Sequence, residues 1–347
     1  MTAMARLLLS AGLTGRGGAG FPTGVKVAMA QKHRADLIVN ACDGEPGSRK
    51  DAWVIAHRLS PMMGAARQLS GRVRIAAPHG SATLAAAERA GVETIGVPHR
   101  YVSSEESSLA SLAAGGLARP VTRFSPLTSG VGGRRRIPPT LVLNAETVWR
   151  AAQIMDRGVR WFRSHGTDAE PGPHLVTLGA GVAAPGVYEA EAGSSVDDVV
   201  GLGGGPVGPV LAVWLGGLGG GFLGAHETRT PWSRSGTRAF GFGPGAGVVS
   251  LVDARLDPWE LVADALGYAA GETSGQCGPC RFGVPALHRD ILAARRHPAW
   301  DSDDGLARRL DLLAERGACR FPDGIAGFVR SALRVFGPVD GRVHPWH

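Results

Sequence analysis

The chain has 347 residues, 44% hydrophobic and 19% charged, with a formal net charge of +7. That length supports two or three domains and a sizeable core. The 52 Gly and 23 Pro lack a Gly-every-third period, which excludes collagen, and the apolar content excludes wholesale disorder. Only three of the 37 basic residues are Lys (Lys26, Lys32 and Lys50), and aromatics at 6% argue against broad base-stacking surfaces. The positive charge suits an acidic partner or a phosphate-bearing cofactor. Nucleic acid is not expected, because no helix-turn-helix, finger or RNP pattern accompanies it. The run Arg134-Arg135-Arg136 reads as a solvated turn.

The first ten residues carry one charge and a Leu run, with no signal-peptide core or cleavage site, so cytoplasmic residence is the expectation. Residues 5–12 read as helical. The loop Gly15-Arg16-Gly17-Gly18-Ala19-Gly20-Phe21-Pro22-Thr23-Gly24-Val25-Lys26 follows. It contains G-x-G-x-x-G, but a dinucleotide fingerprint needs a strand before it. Clustered glycines still let backbone N–H groups approach an anion, and Lys26 adds positive charge.

Residues 36–41 read as a buried strand running into Asn40-Ala41-Cys42-Asp43-Gly44-Glu45-Pro46-Gly47, with Lys50-Asp51 just after. Carboxylates at a strand end can accept from hydroxyl or ring N–H groups of a bound cofactor. Helices are expected over 52–70 and 80–91, and strands over 93–97 and 140–143. Tyr101-Val102-Ser103-Ser104-Glu105-Glu106 reads as a helix start with early acids. A long helix over 145–164, capped by Thr147, completes an α/β alternation.

Pro171-Gly172-Pro173 reads as a linker. Short β-like runs follow at 175–178, 187–190, 210–215 and 248–252, with a helix start at Ser195. Residues 201–225 carry no charge, yet eleven are Gly, so they read as strands and turns rather than a bilayer helix. From residue 258 the periodicity turns helical, over 258–270, 282–296, 303–316 and 322–336.

Cys277-Gly-Pro-Cys280 lies between the first two of these helices, and Cys319 between the last two. Four Cys in a chain this long do not make a disulfide framework. Iron–sulfur sites favour Cys-x2-Cys-x2-Cys runs plus a distant Cys, and the position completing the run is Ser274. A three-Cys zinc site and inert structural thiols remain open. His288 and His297 stand at no obvious ligand spacing, and no βαβ pattern surrounds the pair to support a thioredoxin-like reading.

Taken in order, these segments resemble the NADH-binding flavoprotein subunit of respiratory complex I (the F subunit of NADH-quinone oxidoreductase), in a shortened, divergent form. The flavin subunits of NAD-linked hydrogenases and formate dehydrogenases are relatives. Pro139-Thr140 through Asn144-Ala145-Glu146-Thr147, residues 161–167, Pro185-Gly186-Val187-Tyr188-Glu189 and Glu272 to Arg281 extend the likeness over roughly residues 12–336. It implies an FMN-binding α/β domain over 1–170, a β-grasp-like soluble ligand-binding domain over 171–252 and a helical iron–sulfur domain over 253–347.

By that resemblance Gly15, Arg16, Gly17, Gly18, Phe21 and Lys26 belong to the FMN loop. Asn40, Asp43, Tyr101, Glu105, Glu106 and Asn144 line the flavin pocket, and Glu45 orients the nicotinamide. Cys277, Cys280, Cys319 and Ser274 hold a 4Fe–4S cluster, with a 3Fe–4S form or a non-Cys fourth ligand as alternatives. The implied chemistry is electron transfer from NAD(P)H through FMN and the cluster to a ferredoxin-like or 2Fe–2S partner. A relay subunit that does not bind NADH is the alternative.

This sequence also departs from the family. Cys42 replaces an Asp near the flavin, Ser104 a Gly, and Leu143 the first Asn of a pair. Met29 stands where an adenine-stacking aromatic is usual. Phe21, or Phe124 at an offset, is left to take that place.

Overall fold

A computed structural model describes residues 1–133, 136–296 and 302–339. Arg134, Arg135 and His297 lie outside the described residues. The chain divides into two compact units, Met1–Thr177 with Gly186–Ser194, and Leu178–Pro185 with Ser195 onward.

The first unit is built on a parallel sheet. Its helices and strands run α1 (Ala3–Ala11), α2 (Thr23–Lys32), β1 (Asp36–Asn40), α3 (Lys50–Leu69), β2 (Val73–Pro78), α4 (Ala82–Arg89), β3 (Thr94–Val97), α5 (Glu106–Ala113), β4 (Thr140–Asn144) and α6 (Ala145–Arg163). The strand order is β3-β2-β1-β4. Leu37, Ile38 and Val39 are all fully buried, as expected of a parallel strand covered on both faces. The chain winds from β1 out to β3, then returns to the other side of β1 as β4. Such a reversal opens a crevice at the C-terminal ends of the two strands, where open α/β sheets bind ligands.

Two helices break for identifiable reasons. Pro61 lies inside α3 and cannot donate to His57 O. The backbone is non-helical at Arg58, whose Nη1 donates to that carbonyl at 2.9 Å instead. In α6 the break is at Gly158, with φ +84°. The expected linker at 171–173 is a packed corner, because Gly172 N–H donates to His165 O at 2.8 Å and any Cβ there would overlap the Phe162 ring. β2 escapes a sequence reading because Ala and Arg dilute its β signal.

After β5 (Pro173–Leu178) and β6 (Gly186–Glu191), the second unit contains α7 (Val196–Gly201), β7 (Val210–Leu215), β8 (Gly221–Gly224), α8 (Arg234–Thr237) and β9 (Val248–Asp253). Four helices follow, α9 (Pro258–Glu272), α10 (Val284–Arg296), α11 (Ser302–Leu313) and α12 (Phe321–Phe336). Ser195 caps α7 in a capping box with Asp198. The charge-free run becomes β7 and β8, which pair antiparallel, and β9 pairs with the other edge of β7. α12 is pinned to β8 by Phe222 N–H donating to Ser331 Oγ at 3.0 Å. Among the described residues, no helix is long and apolar enough to cross a membrane.

Candidate functional site: a flavin cradle and a cysteine corner

The glycine loop is closed at its neck by Gly15 N–H donating to Phe21 O at 2.9 Å and Thr23 N–H to Leu13 O at 2.8 Å. Gly18 and Gly20 take positive φ values of 98° and 58°, which lets the chain double back. The site of a Cβ on Gly15 has no neighbour closer than Phe21 O at 3.8 Å, while a Cβ on Gly17 would overlap Asn144 Oδ1. The loop therefore lies against the end of β4, and α2 begins where it closes. Phe21 is about half exposed.

Asn40 and Asn144 are register partners at the C-terminal ends of β1 and β4. Asn40 Nδ2 donates to Ser104 O at 2.9 Å, and its Oδ1 accepts from Cys42 N–H at 3.1 Å. Asp43 sits in a left-handed conformation with φ +46° and accepts from Ser48 Oγ, Asp51 N–H and Ala52 N–H, so it caps α3. Burial, then the nearby Asp51, pushes its pKa up. Tyr101 donates its hydroxyl to Glu45 Oε2 at 2.7 Å.

The two neighbouring glutamates are driven apart. Glu105 is the N-cap of α5 and accepts from Ser107 and Ser108 N–H, with burial raising its pKa. Burial alone would raise Glu106 too, but Lys26 and then Arg123 hold it below its ordinary value. Lys26 Nζ lies 2.5 Å from Glu106 Oε2, donates to Val142 O at 3.0 Å, and shares Glu106 with Arg123. Open glycine backbone, a cation, two amides and carboxylates at a strand-end crevice fit a flavin nucleotide, whose phosphate and hydroxyls need such donors and acceptors.

Three expectations are corrected. The Arg16 side chain is not in this site. It is 4% exposed, donates to Pro171 O at 3.0 Å and Pro173 O at 3.3 Å, and lies over Phe162, so it pins the loop to the body. Cys42 is not a thiol of the flavin pocket. It is buried beside Ile38, Ala76 and Val142, faces Ala76 O at 3.5 Å, and burial with Asp51 and Asp43 raises its pKa. Thr147 is not the cap of α6, whose N-cap is Asn144. It accepts from Arg16 N–H at 2.9 Å.

Sequence reasoning missed the charge cluster beneath the site. Lys50 is 1% exposed and reaches Asp51 Oδ2 at 3.0 Å and Glu146 Oε2 at 3.2 Å. Burial would lower its pKa, but Asp51, Glu146 and Asp43 hold it above the usual value. The signal was a Lys in a chain that otherwise uses Arg. A separate cleft of about 850 Å³, lined by Trp53, Arg58, Trp149, Arg157 and Trp161, includes none of the predicted cofactor residues.

In the second unit α9 ends at Glu272, Gly275 turns left-handed with φ +66°, and Pro279–Gly283 forms one π turn that carries Cys280 inward. The Cys280 sulfur is surrounded. Its pKa is pushed up to about 12 by burial, then by Cys277 and Cys319, while a hydrogen bond from Ser274 opposes the shift. Cys277, Cys319 and Ser274 thus all bear on the Cys280 thiol. His288 packs against α9 at Gly267 instead. Among the described residues, no group of three or more His, Cys, Asp or Glu is disposed to hold a lone metal ion. Three Cys with a Ser completing the Cys-x2-Cys run match the donor set of an iron–sulfur cluster with one non-Cys ligand.

Comparison with known proteins agrees with this division. The Nuo51 FMN-binding domain matches residues 8–153, and the NADH-ubiquinone oxidoreductase-F iron-sulfur binding region matches residues 260–339. The F 2 subunit of NADH-quinone oxidoreductase in Rhizobium meliloti is 30% identical over 95% of this chain and 86% of its own length. The chain belongs to the family of NADH-quinone oxidoreductase F subunits. The family's FMN and 4Fe–4S cluster are its cofactors. The corresponding F subunit of Streptomyces coelicolor is 28% identical over 94% of this chain and 79% of its own. An NAD+-reducing NiFe hydrogenase in the H2-reduced state superposes with a TM-score of 0.86 at 29% identity, covering 99% of this chain and 63% of that one. This chain thus spans less than two thirds of the hydrogenase chain.

Proposed function

We propose that this F-type chain takes electrons from NADH at the FMN site and delivers them singly through the 4Fe–4S cluster to a redox partner. The observation that carries it is one chain holding both a glycine cradle at the β1–β4 switch and three thiols gathered with Ser274 around one corner. When bound, FMN converts two-electron into one-electron chemistry. The residues do the rest. The glycine loop would offer backbone N–H groups to phosphate on its open side, by Gly15, rather than at Gly17, where the Asn144 amide oxygen sits. Asn40, Asp43 and Asn144 orient the ribityl chain and ring. Tyr101 holds the Glu45 carboxylate at 2.7 Å, ready to orient a nicotinamide. Phe21 offers an exposed ring face for the adenine.

The partner reading is an acidic ferredoxin-like or 2Fe–2S protein. Arg281 and Arg320 each directly follow a cluster cysteine, Arg320 is 86% exposed, and Phe282, next to Arg281, is 68% exposed. Exposed Arg and aromatic side chains are the residues that anchor interfaces.

A second reading, a relay that does not bind NADH, is favoured by one observation: Phe124 is fully exposed and Met29 replaces an aromatic, leaving a thinner adenine shelf. Anaerobic stopped-flow mixing with NADH decides between them. Rapid loss of flavin absorbance is expected. Bound FMN that stays oxidised under excess NADH would leave only the relay.

A further inference from the structure

Asn144 occupies the N-cap position of α6, yet its side chain makes no cap hydrogen bond. That is unusual chemistry for an asparagine. Asn at an N-cap normally turns its Oδ1 back onto the N–H of the second or third helical residue. Here that N–H belongs to Glu146, and it donates to Asp51 Oδ1 at 2.9 Å. Asp51 comes from the first turn of a different helix, α3.

The same carboxylate also fixes the asparagine. Asn144 Nδ2 donates to Asp51 Oδ2 at 3.2 Å, and Lys50 Nζ donates to that oxygen at 3.0 Å. An ionised carboxylate only accepts, so the amide has one allowed orientation, nitrogen toward Asp51. The amide oxygen then points the other way. It is the atom nearest the missing Cβ of Gly17, so it faces the glycine loop.

We propose that Asp51 is a positioning residue that caps α6 in place of Asn144 and so presents the Asn144 amide oxygen, an acceptor, to the flavin. The inference rests on Asn144 lining the flavin site. It specifies the contact: an acceptor meets a ribityl hydroxyl or a ring N–H and repels phosphate. Lys50 serves by holding Asp51 in place, since the two pair at 3.0 Å and both side chains are almost fully buried.

Two variants test it by flavin-fluorescence titration, with FMN and with riboflavin, alongside thermal melts of the apo chain. Asn144→Ala removes the acceptor but leaves the Asp51 cap. It is expected to weaken FMN and riboflavin alike, by about three- to tenfold. In the melts Asn144→Ala, which loses only the amide's bond to Asp51, is expected to fall less than Asp51→Asn, which weakens the cap itself, and the reverse order would overturn the capping assignment. Unchanged affinity for both flavins, or a loss confined to FMN, would overturn the acceptor assignment. Asp51→Asn puts an amide nitrogen against Asn144 Nδ2 and lets the amide turn. It is expected to weaken both flavins by a similar factor, and wild-type affinity in that variant would sink the proposal. If wild-type chain binds neither flavin, the flavin reading itself fails, while the melting comparison still judges the cap.

Discussion

Lys26 and Glu106 form an ion pair, Nζ to Oε2 at 2.5 Å, joining the start of α2 to the start of α5 over the end of β4. Arg123 completes the arrangement from the loop that follows α5. The glutamate is less than a third exposed, so the pairing is screened only in part. Its folded pKa lies below the ordinary 4.5. The stability it contributes is therefore present above that value and lost as pH falls through the lower, folded value. Replacing Lys26 and Arg123 together by Met is expected to cost about 1–2 kcal/mol at neutral pH. It should also flatten the acid limb of the melting temperature measured from pH 6 down to about pH 3.

Ser104 and Gly44 are matched. A Cβ on Gly44 would overlap the Ser104 hydroxyl, which donates to Tyr101 O at 2.9 Å. Gly44→Ala is expected to destabilise the first unit by about 1–3 kcal/mol, the range for overpacking. Adding Ser104→Gly should recover most of that loss. Denaturant melts of the single and double variants measure the coupling.

Lys50 neutralises a buried cluster. Lys50→Met leaves Asp51, Glu146 and Asp43 without their shared cation, and the expected cost is about 3–5 kcal/mol at neutral pH. Unpaired buried carboxylates have raised folded pKa values, so the variant should regain stability as pH falls toward them. The gap between variant and wild-type melting temperatures should therefore narrow at acid pH.

In the proposed ligand set Ser274 takes the fourth corner of the cluster. Ser274→Cys supplies a thiolate where the hydroxyl now stands beside Cys280. Iron analysis and EPR of anaerobically prepared protein should give a fuller and more oxygen-resistant cluster than wild type. Ser274→Ala should bind less iron than either, because no side-chain ligand remains at that corner.

Cys42 should be inert. Its sulfur is buried and its pKa is raised by burial. Brief alkylation of the folded apo chain, read by peptide mass spectrometry, should label the partly exposed Cys277 and Cys319 and leave Cys42 unmodified.

The sequence by itself determined the parts. Periodicity locates β1, β4, α3 and α6, because a strand buried on both faces reads as Leu-Ile-Val and helices repeat their apolar faces. Spacing names Cys277, Cys280 and Cys319, and motif order names the family, since local chemistry is written in neighbouring residues. Only the tertiary structure decided which side chains meet. Arg16 sits in the motif, yet its long side chain finds buried carbonyls at Pro171 and Pro173, some 155 residues away in sequence. Asp51 and Asn144 are 93 positions apart and touch because α3 begins and β4 ends at the same edge of the sheet. Pattern within a window cannot carry such pairings. They arise when strand order places distant ends together, and burial then forces each charge and amide to find a partner.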